Sequence, residues 1–321
     1  MQSLLSAIGS YSAIVAGVLA VSGALAQAPL ATDETPGWYR MRLGNFEITA
    51  LSDGTLELPA DKLFTKVKSA RLRSLLSRSY LPNDVTTTVN AFLVNTGARL
   101  VLIDTGTGTS QMFGSNLGKL LTSLRHAGYS PDQVDEIYVT HMHTDHIGGL
   151  ARDGQRNFSN ATVRANVNEA NHYLSQSKMD ASPDEKEDFE SAMASLRPYI
   201  AAGKFKPFDG ETQLIPGVRA VPSPGHTPGH TVYIIESQAE KMVVWGDLVH
   251  VAALQFPEPS ATVQYDWNTR QSAQQRRRIF ADVARNGYFV ATAHVAFPGI
   301  GKLRAEGAGY AWVPISYIFG K

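Results

Sequence analysis

The stretch Thr140-His141-Met142-His143-Thr144-Asp145-His146-Ile147-Gly148-Gly149 decides how the rest of the chain is read. It places three imidazoles and one carboxylate within six residues, directly after Ile137-Tyr138-Val139-Thr140, an apolar run with the character of a buried strand. A solvated turn needs one or two polar residues, not four metal-capable groups crowded at a strand end. His141 and His143 can reach one metal ion, and Asp145 and His146 a neighbouring one. Imidazole suits zinc, and carboxylate suits zinc or a harder cation. Four ligands cannot complete two sites, so others are required. Three candidates follow strand-like runs farther along: His226 in Gly225-His226-Thr227-Pro228-Gly229-His230, Asp247 after Val243-Val244-Trp245, and His294 after the run 288–292. Loops at strand ends gather at one sheet edge, which brings distant ligands together.

Composition narrows the chemistry further. The 321 residues contain no Cys, which removes disulfides, thiolate catalysis and Cys-held zinc or iron–sulfur clusters. Any metal must sit on His, Asp and Glu. With 29 Lys plus Arg against 29 Asp plus Glu, the chain gives no electrostatic reason to expect nucleic acid or an anionic membrane as partner. At 43% hydrophobic and 18% charged residues it reads as an ordinary globular protein. No Ser has G-x-S-x-G spacing. Gly106-Thr107-Gly108 lacks the Lys-Ser/Thr ending of a phosphate loop. Arg276-Arg277-Arg278 reads as a solvated helix face.

The first charged side chain is Asp33. Before it, the apolar run 14–21 and the small residues Ala24, Ala26 and Ala28 fit a cleaved signal peptide over residues 1–26, with 28 as the alternative boundary. The expected product is exported, periplasmic or secreted, and free of the membrane after processing. Residues 27–321 then form a single domain of two pseudo-equivalent lobes. Strands are expected at 46–51, 91–94, 100–103, 137–140, 218–221, 231–235, 242–245 and 288–292. Helices are expected at 117–127, 183–202 and 271–285. Strand runs followed by helices in both halves predict a layered α/β sandwich.

The motif His-x-His-x-Asp-His, followed in order by a His, an Asp and a His, resembles the metallo-β-lactamase superfamily. That resemblance implies an αββα sandwich with a dinuclear metal site between two sheets. It implies that His141, His143 and His226 hold one metal, that Asp145, His146 and His294 hold the other, and that Asp247 bridges both. Two divalent ions, most readily Zn2+, would share a hydroxide of lowered pKa and polarise an electrophilic C=O or P=O group. Asp145 and Asp247 would thereby also position the nucleophile. Asp104, ending the run Leu100–Ile103, either orients a ligand His or serves a turn. His230 is expected to support a ligand or stabilise its turn. His250 faces the pocket or packs in the core. His126 and His172 are expected to be solvated.

Further segments, among them Ala50-Leu51-Ser52-Asp53-Gly54-Thr55, Val251-Ala252-Ala253-Leu254-Gln255-Phe256 and Phe297-Pro298-Gly299-Ile300-Gly301, look like methyl parathion hydrolases and their aryl lactonase relatives. The resemblance implies zinc-dependent, exported, usually homodimeric hydrolases of small molecules: aryl lactones, aryl esters or phosphotriesters. It places Leu63 where the organophosphate enzymes carry Arg, and His250 and Tyr265 where they carry small aliphatics. Phe113, Tyr173 and Phe189 would supply aromatic walls. A narrowed aromatic pocket predicts aryl lactone or aryl ester hydrolysis with weak phosphotriester activity. The alternatives are a main organophosphate hydrolase activity or acyl-homoserine lactone hydrolysis.

Overall fold

The chain is described by a computed structural model, which covers residue 30 and residues 35–317. The expected signal segment lies outside the described residues. Among the described residues, no helix is long and apolar enough to cross a membrane.

Residues 36–317 build two sheets that face each other. The first has six strands in the order Trp38–Leu43, Phe46–Pro59, Asp84–Asn95, Leu100–Ile103, Glu136–Tyr138 and Thr162–Arg164. The second has seven, in the order Thr212–Ile215, Val218–Pro222, Thr231–Ser237, Glu240–Val244, Phe289–Ala291, Ile300–Glu306 and Gly309–Pro314. Most neighbours are antiparallel. Parallel pairs join Leu100–Ile103 to Glu136–Tyr138, that strand to Thr162–Arg164, and Glu240–Val244 to Phe289–Ala291.

Alternation along the strands explains the layering. Val101 and Ile103 point into the seam between the sheets, where they meet Ile48, Phe92, Val218, Tyr233, Met242 and Val244. Leu100 and Leu102 point the other way, into a core shared with the helices Leu120–His126 and Lys186–Ala201. On the far face of the second sheet, Val243, Trp245 and Val290 pack against Ile279, Phe280 and Val283 of the helix Thr269–Asn286. Both faces of each sheet are therefore covered, so Leu100–Ile103 is apolar at every position rather than at alternate ones. The architecture is the expected αββα sandwich. Tyr138 and Tyr233 stack across the seam at 5.5 Å, and the Tyr233 hydroxyl donates to the Val139 carbonyl at 2.7 Å. That bond holds Val139, the first residue past the strand Glu136–Tyr138, against the opposite sheet.

The helices follow their local signals. Thr269–Asn286 begins where the Asn268 side chain accepts from Gln271 N at 3.0 Å, and ends at Gly287 in the left-handed conformation. The expected helix 183–202 is a 3-10 turn at Pro183–Glu185 followed by the α-helix Lys186–Ala201. One reading is corrected here. Arg276 is not on a solvated face but fully buried, donating to the carbonyls of Leu248, Pro259 and Ala261. Arg276, Ile279, Phe280 and Val283 lie on one helix stripe, and the Arg276 guanidinium ties these three carbonyls together.

Candidate metal centre

Each expected ligand sits just past a strand. Glu136–Tyr138 leads to His141 and His143, and the short helix Thr144–Ile147 carries Asp145 and His146. Val218–Pro222 leads to His226, Glu240–Val244 to Asp247, and Phe289–Ala291 to His294. The fold gathers all seven into two groups, His141, His143, His226 and Asp247 in one, and Asp145, His146 and His294 in the other. Within the first, His143 Nδ1 is 3.0 Å from His141 Nε2 and 3.1 Å from His226 Nε2. The Asp247 carboxylate stands between the groups. Its Oδ2 is 3.4 Å from His226 Nε2 and 3.1 Å from His294 Nε2, and its Oδ1 is 3.2 Å from His146 Nε2.

The donor set fits a pair of cations. Nitrogen ligands around a tetrahedral zinc, at ~2.0–2.1 Å from it, stand about 3.3 Å apart, close to the spacings above. Three buried imidazole nitrogens that point at one another cannot all be satisfied by one another's protons. His146 Nε2 and Asp247 Oδ1 are buried without a hydrogen-bond partner. Burial and the neighbouring His146 hold His141 well below the usual imidazole range, keeping its lone pair free. Burial opposes the charge on Asp247, yet the surrounding imidazoles His294, His146 and His141 hold its carboxyl well below the usual range.

Around the ligands lies a layer of fixed partners. Asp104, in the left-handed conformation at φ 62°, accepts from Thr140 N at 2.8 Å and Thr140 Oγ1 at 2.7 Å, and pairs with His146 Nδ1 at 2.8 Å. It thus orients His146 and pins the start of the motif loop. His294 Nδ1 lies 2.8 Å from the Thr88 carbonyl. His230 accepts from Asp247 N through Nε2 at 3.1 Å while its Nδ1 lies 3.2 Å from the Ser223 carbonyl. Burial drives its pKa down to about 3, so the ring is neutral with the proton on Nδ1. Gly246 makes this contact possible. At φ 54° it reaches a backbone shape that other residues avoid, and a Cβ there would come within 2.8 Å of His230 Nε2.

Three carboxylates of this layer were not singled out in the sequence. Asp266 lies 2.9 Å from His226 Nδ1 and accepts from Val263 N at 3.2 Å. Burial opposes charge on His226, but hydrogen bonds with Asp247 and Asp266 carry its pKa to about 9. Asp188 accepts from Thr144 N at 3.2 Å and Thr144 Oγ1 at 3.0 Å, capping the helix that bears Asp145 and His146. Glu169, treated below, is the third. None has a local sequence pattern around it. His172, expected to be solvated, is buried against Tyr173 and Phe189, with Glu185 3.5 Å away. His126 is exposed, as expected.

The metal-capable cluster forms the floor of a cavity of about 650 Å3. Phe113, His250 and Tyr265 line it, with Leu56, Leu58 and Trp267. Leu63, Tyr173 and Phe189 do not. Tyr173 is buried with its ring edge-on to His143 at 5.9 Å, and Phe189 packs behind Tyr173 at 5.2 Å as core. Leu63 belongs to the apolar cluster around Leu72, Leu76 and Val251, and only its carbonyl reaches the wall, accepting from Gln264 N at 2.9 Å. His250 is buried, stacks on His294 at 5.5 Å, and places Nε2 3.1 Å from Asp247 Oδ2. Burial lowers its pKa to about 4. Met112 and Gln264 join the wall, and one part of it is acidic, with Asp184, Glu185 and Asp188. No Lys or Arg is among the described residues lining this cavity.

Comparison with known proteins agrees with this architecture. Residues 85–285 match the family described as the Metallo-beta-lactamase superfamily, and the chain belongs to it. A crystal structure of the hydrolase AbOPH in the beta lactamase superfamily superposes with a TM-score of 0.84 at 36% identity, covering 89% of this chain and 100% of that one. AidC, a dizinc quorum-quenching lactonase in complex with a product, N-hexanoyl-L-homoserine, superposes at 0.80 with 27% identity, over 88% of this chain and 98% of that one. An N-acyl homoserine lactonase of Bacillus cereus is 24% identical over 170 residues, 48% of this chain and 60% of that protein. The match thus spans less than two thirds of that lactonase.

Proposed function

We propose that this protein is a metal-dependent hydrolase that opens aryl lactones or cleaves aryl esters, with weak activity on phosphotriesters. The observation that carries the reading is a paired cluster of metal-capable groups at the floor of a cavity whose wall is apolar and aromatic on one part and acidic on another, with no Lys or Arg among the described residues lining it. His141, His143 and His226 would hold one divalent ion, Asp145, His146 and His294 a second, with Asp247 shared. When bound, such a pair supplies a water acidified toward neutral pH and polarises the substrate's carbonyl. The chain's own residues do the rest. Asp104, Asp266 and the Thr88 carbonyl fix which nitrogen of His146, His226 and His294 faces the ions. Tyr265, Trp267 and Phe113 offer flat apolar surface to a planar substrate.

The wall charge also supports a neutral substrate. Asp184, Glu185 and Asp188 repel a substrate that carries its own carboxylate or phosphodiester charge, and no Lys or Arg of the lining compensates. An uncharged lactone meets no such barrier, while its carboxylate product does and is urged out. Acyl-homoserine lactones are also neutral, and the superposition with the dizinc lactonase favours them as a second reading. The test is a panel of aryl lactones, aryl esters, acyl-homoserine lactones and phosphotriesters on zinc-loaded protein. The expected order in kcat/KM puts aryl lactones and esters first. A preference for phosphotriesters, or no hydrolysis of any member by protein shown to carry two ions, overturns the proposal.

A further inference from the structure

Glu169 lies on the helix Val167–Tyr173, outside both ligand groups, and is fully buried. Its Oε2 accepts from Met142 N at 2.9 Å and its Oε1 from Gly229 N at 2.6 Å. Met142 stands between His141 and His143, and Gly229 is three residues past His226. One carboxylate therefore grips both loops that carry the three imidazoles of a single ligand group. Both partners are donors, and the two carboxylate oxygens accept one each. Burial pushes the Glu169 pKa up, and the hydrogen bonds from Thr227, Met142 N and Gly229 N oppose that rise. The close approach is built into the backbone. A Cβ at Gly229 would come within 2.6 Å of Glu169 N and 2.9 Å of its Cγ, so this loop can descend onto the helix only with Gly there. A buried carboxylate is costly unless fully hydrogen-bonded, and here both of its hydrogen bonds to backbone amides go to ligand loops.

We propose that Glu169 is a positioning residue that sets the spacing of His141 and His143 against His226, and so controls the affinity of that one metal site. Met142 N lies between His141 and His143 and Gly229 N close to His226, whereas Asp145 and His146 sit on the helix Thr144–Ile147 that Asp188 caps and His294 on a separate loop, so the effect falls chiefly on one ion of the pair. The proposal rests on the two-ion reading of the centre but not on any substrate. In Glu169→Gln one acceptor oxygen remains, and the new NH2 faces a backbone donor, so one of the two grips is lost at nearly constant volume.

The experiment strips the full chain with a chelator and titrates zinc against a competing chromophoric chelator. It also records the melting temperature of the metal-free protein. The wild type should take up two ions. Glu169→Gln should keep one at wild-type affinity and bind the other about 10–100-fold more weakly. Its metal-free melting point should shift by a few degrees at most, and kcat/KM should recover as zinc is raised. Gly229→Ala, which spreads the same contact with the charge kept, should weaken the same single ion. Wild-type affinity for both ions in either soluble variant overturns the proposal, as does equal weakening of both ions. A wild-type chain that binds fewer than two ions overturns the two-ion reading and this proposal with it. Two ions in the wild type and unchanged uptake in the variants overturn this proposal alone.

Discussion

The floor and the wall of the cavity are built by different rules. On the floor three imidazoles have their direction fixed by a second group, Asp104 behind His146, Asp266 behind His226 and the Thr88 carbonyl behind His294, and His230 holds the backbone of Asp247. The wall mixes elements: Leu56 and Leu58 come from the strand Phe46–Pro59, Asp188 from the helix Lys186–Ala201, and Phe113 and residues 264–267 from loops. Tyr265 exposes 39% of its surface and Trp267 53%. A fixed floor suits chemistry that tolerates little displacement. The loop-borne part of the wall can change its substrate without disturbing that chemistry.

The sharpest way to break this contrast is at its centre. Asp247→Ala should remove the carboxylate shared by the two groups and lower kcat/KM by well over the hundredfold expected of a supporting residue. Metal content measured on the same sample should fall below two ions. His230→Ala removes the acceptor for Asp247 N and the bond to the Ser223 carbonyl but no carboxylate of the two groups, and should cost less than about a hundredfold. Equal loss of activity in both variants would mean that Asp247 is not the shared ligand.

The same contrast governs what could be read from the sequence. The floor was legible because its chemistry is local: His141 to His146 is dense in metal-capable groups, and the later candidates each end an apolar run. Asp266 and Glu169 escaped because nothing adjacent in sequence marks them; one meets His226 across 40 residues, the other bridges residues 142 and 229. The wall was legible only in part. Phe113, His250 and Tyr265 lie on it, but Phe189 and Tyr173 turned inward, because an aromatic on a helix is placed by the core it can fill. Arg276 shows the converse: a basic run says nothing of the loop carbonyls that will need a donor.

Asp266→Asn sharpens the comparison one step down. The amide keeps the volume, but its NH2 and oxygen can no longer both serve His226 Nδ1 and Val263 N as acceptors. Zinc affinity should fall about 10–100-fold while the substrate ranking stays unchanged. A changed ranking with intact affinity would move Asp266 from the floor to the wall.

On the wall, His250→Leu with Tyr265→Leu should enlarge the space over the floor and shift the phosphotriester-to-lactone ratio of kcat/KM upward by roughly ten- to a hundredfold, equivalent to ~1–3 kcal/mol of relieved crowding. A trigonal lactone carbonyl fits the narrowed cavity; a tetrahedral phosphotriester must also place two alkoxy arms. Phe189→Leu should cost stability and leave this ratio alone, since Phe189 lies outside the lining. A ratio that ignores the double variant, or responds to Phe189→Leu, would assign specificity to other residues.

The smallest expected effect tests whether the floor is held by neutral imidazole. His230 has a folded pKa of about 3 against 6.5 for an ordinary His, because burial disfavours its cation. Between those values the unfolded chain binds a proton that the folded chain does not, so stability rises with pH in that window. The contribution is complete above about pH 6.5 and is lost as pH falls toward 3, at ~1.4 kcal/mol per unit. His230→Gln has no such proton to bind, yet its amide can still donate to the Ser223 carbonyl and accept from Asp247 N. Urea unfolding of the metal-free proteins at pH 7.5 and 5.5 should therefore show the wild type losing ~1.4 kcal/mol more than the variant on acidification. Ions are left out because they would tie Asp247 and its neighbours to their own pH dependence. An equal loss in both proteins would mean that His230 is protonated in the folded state, and the neutral bridge from Ser223 through His230 to Asp247 would have to be abandoned.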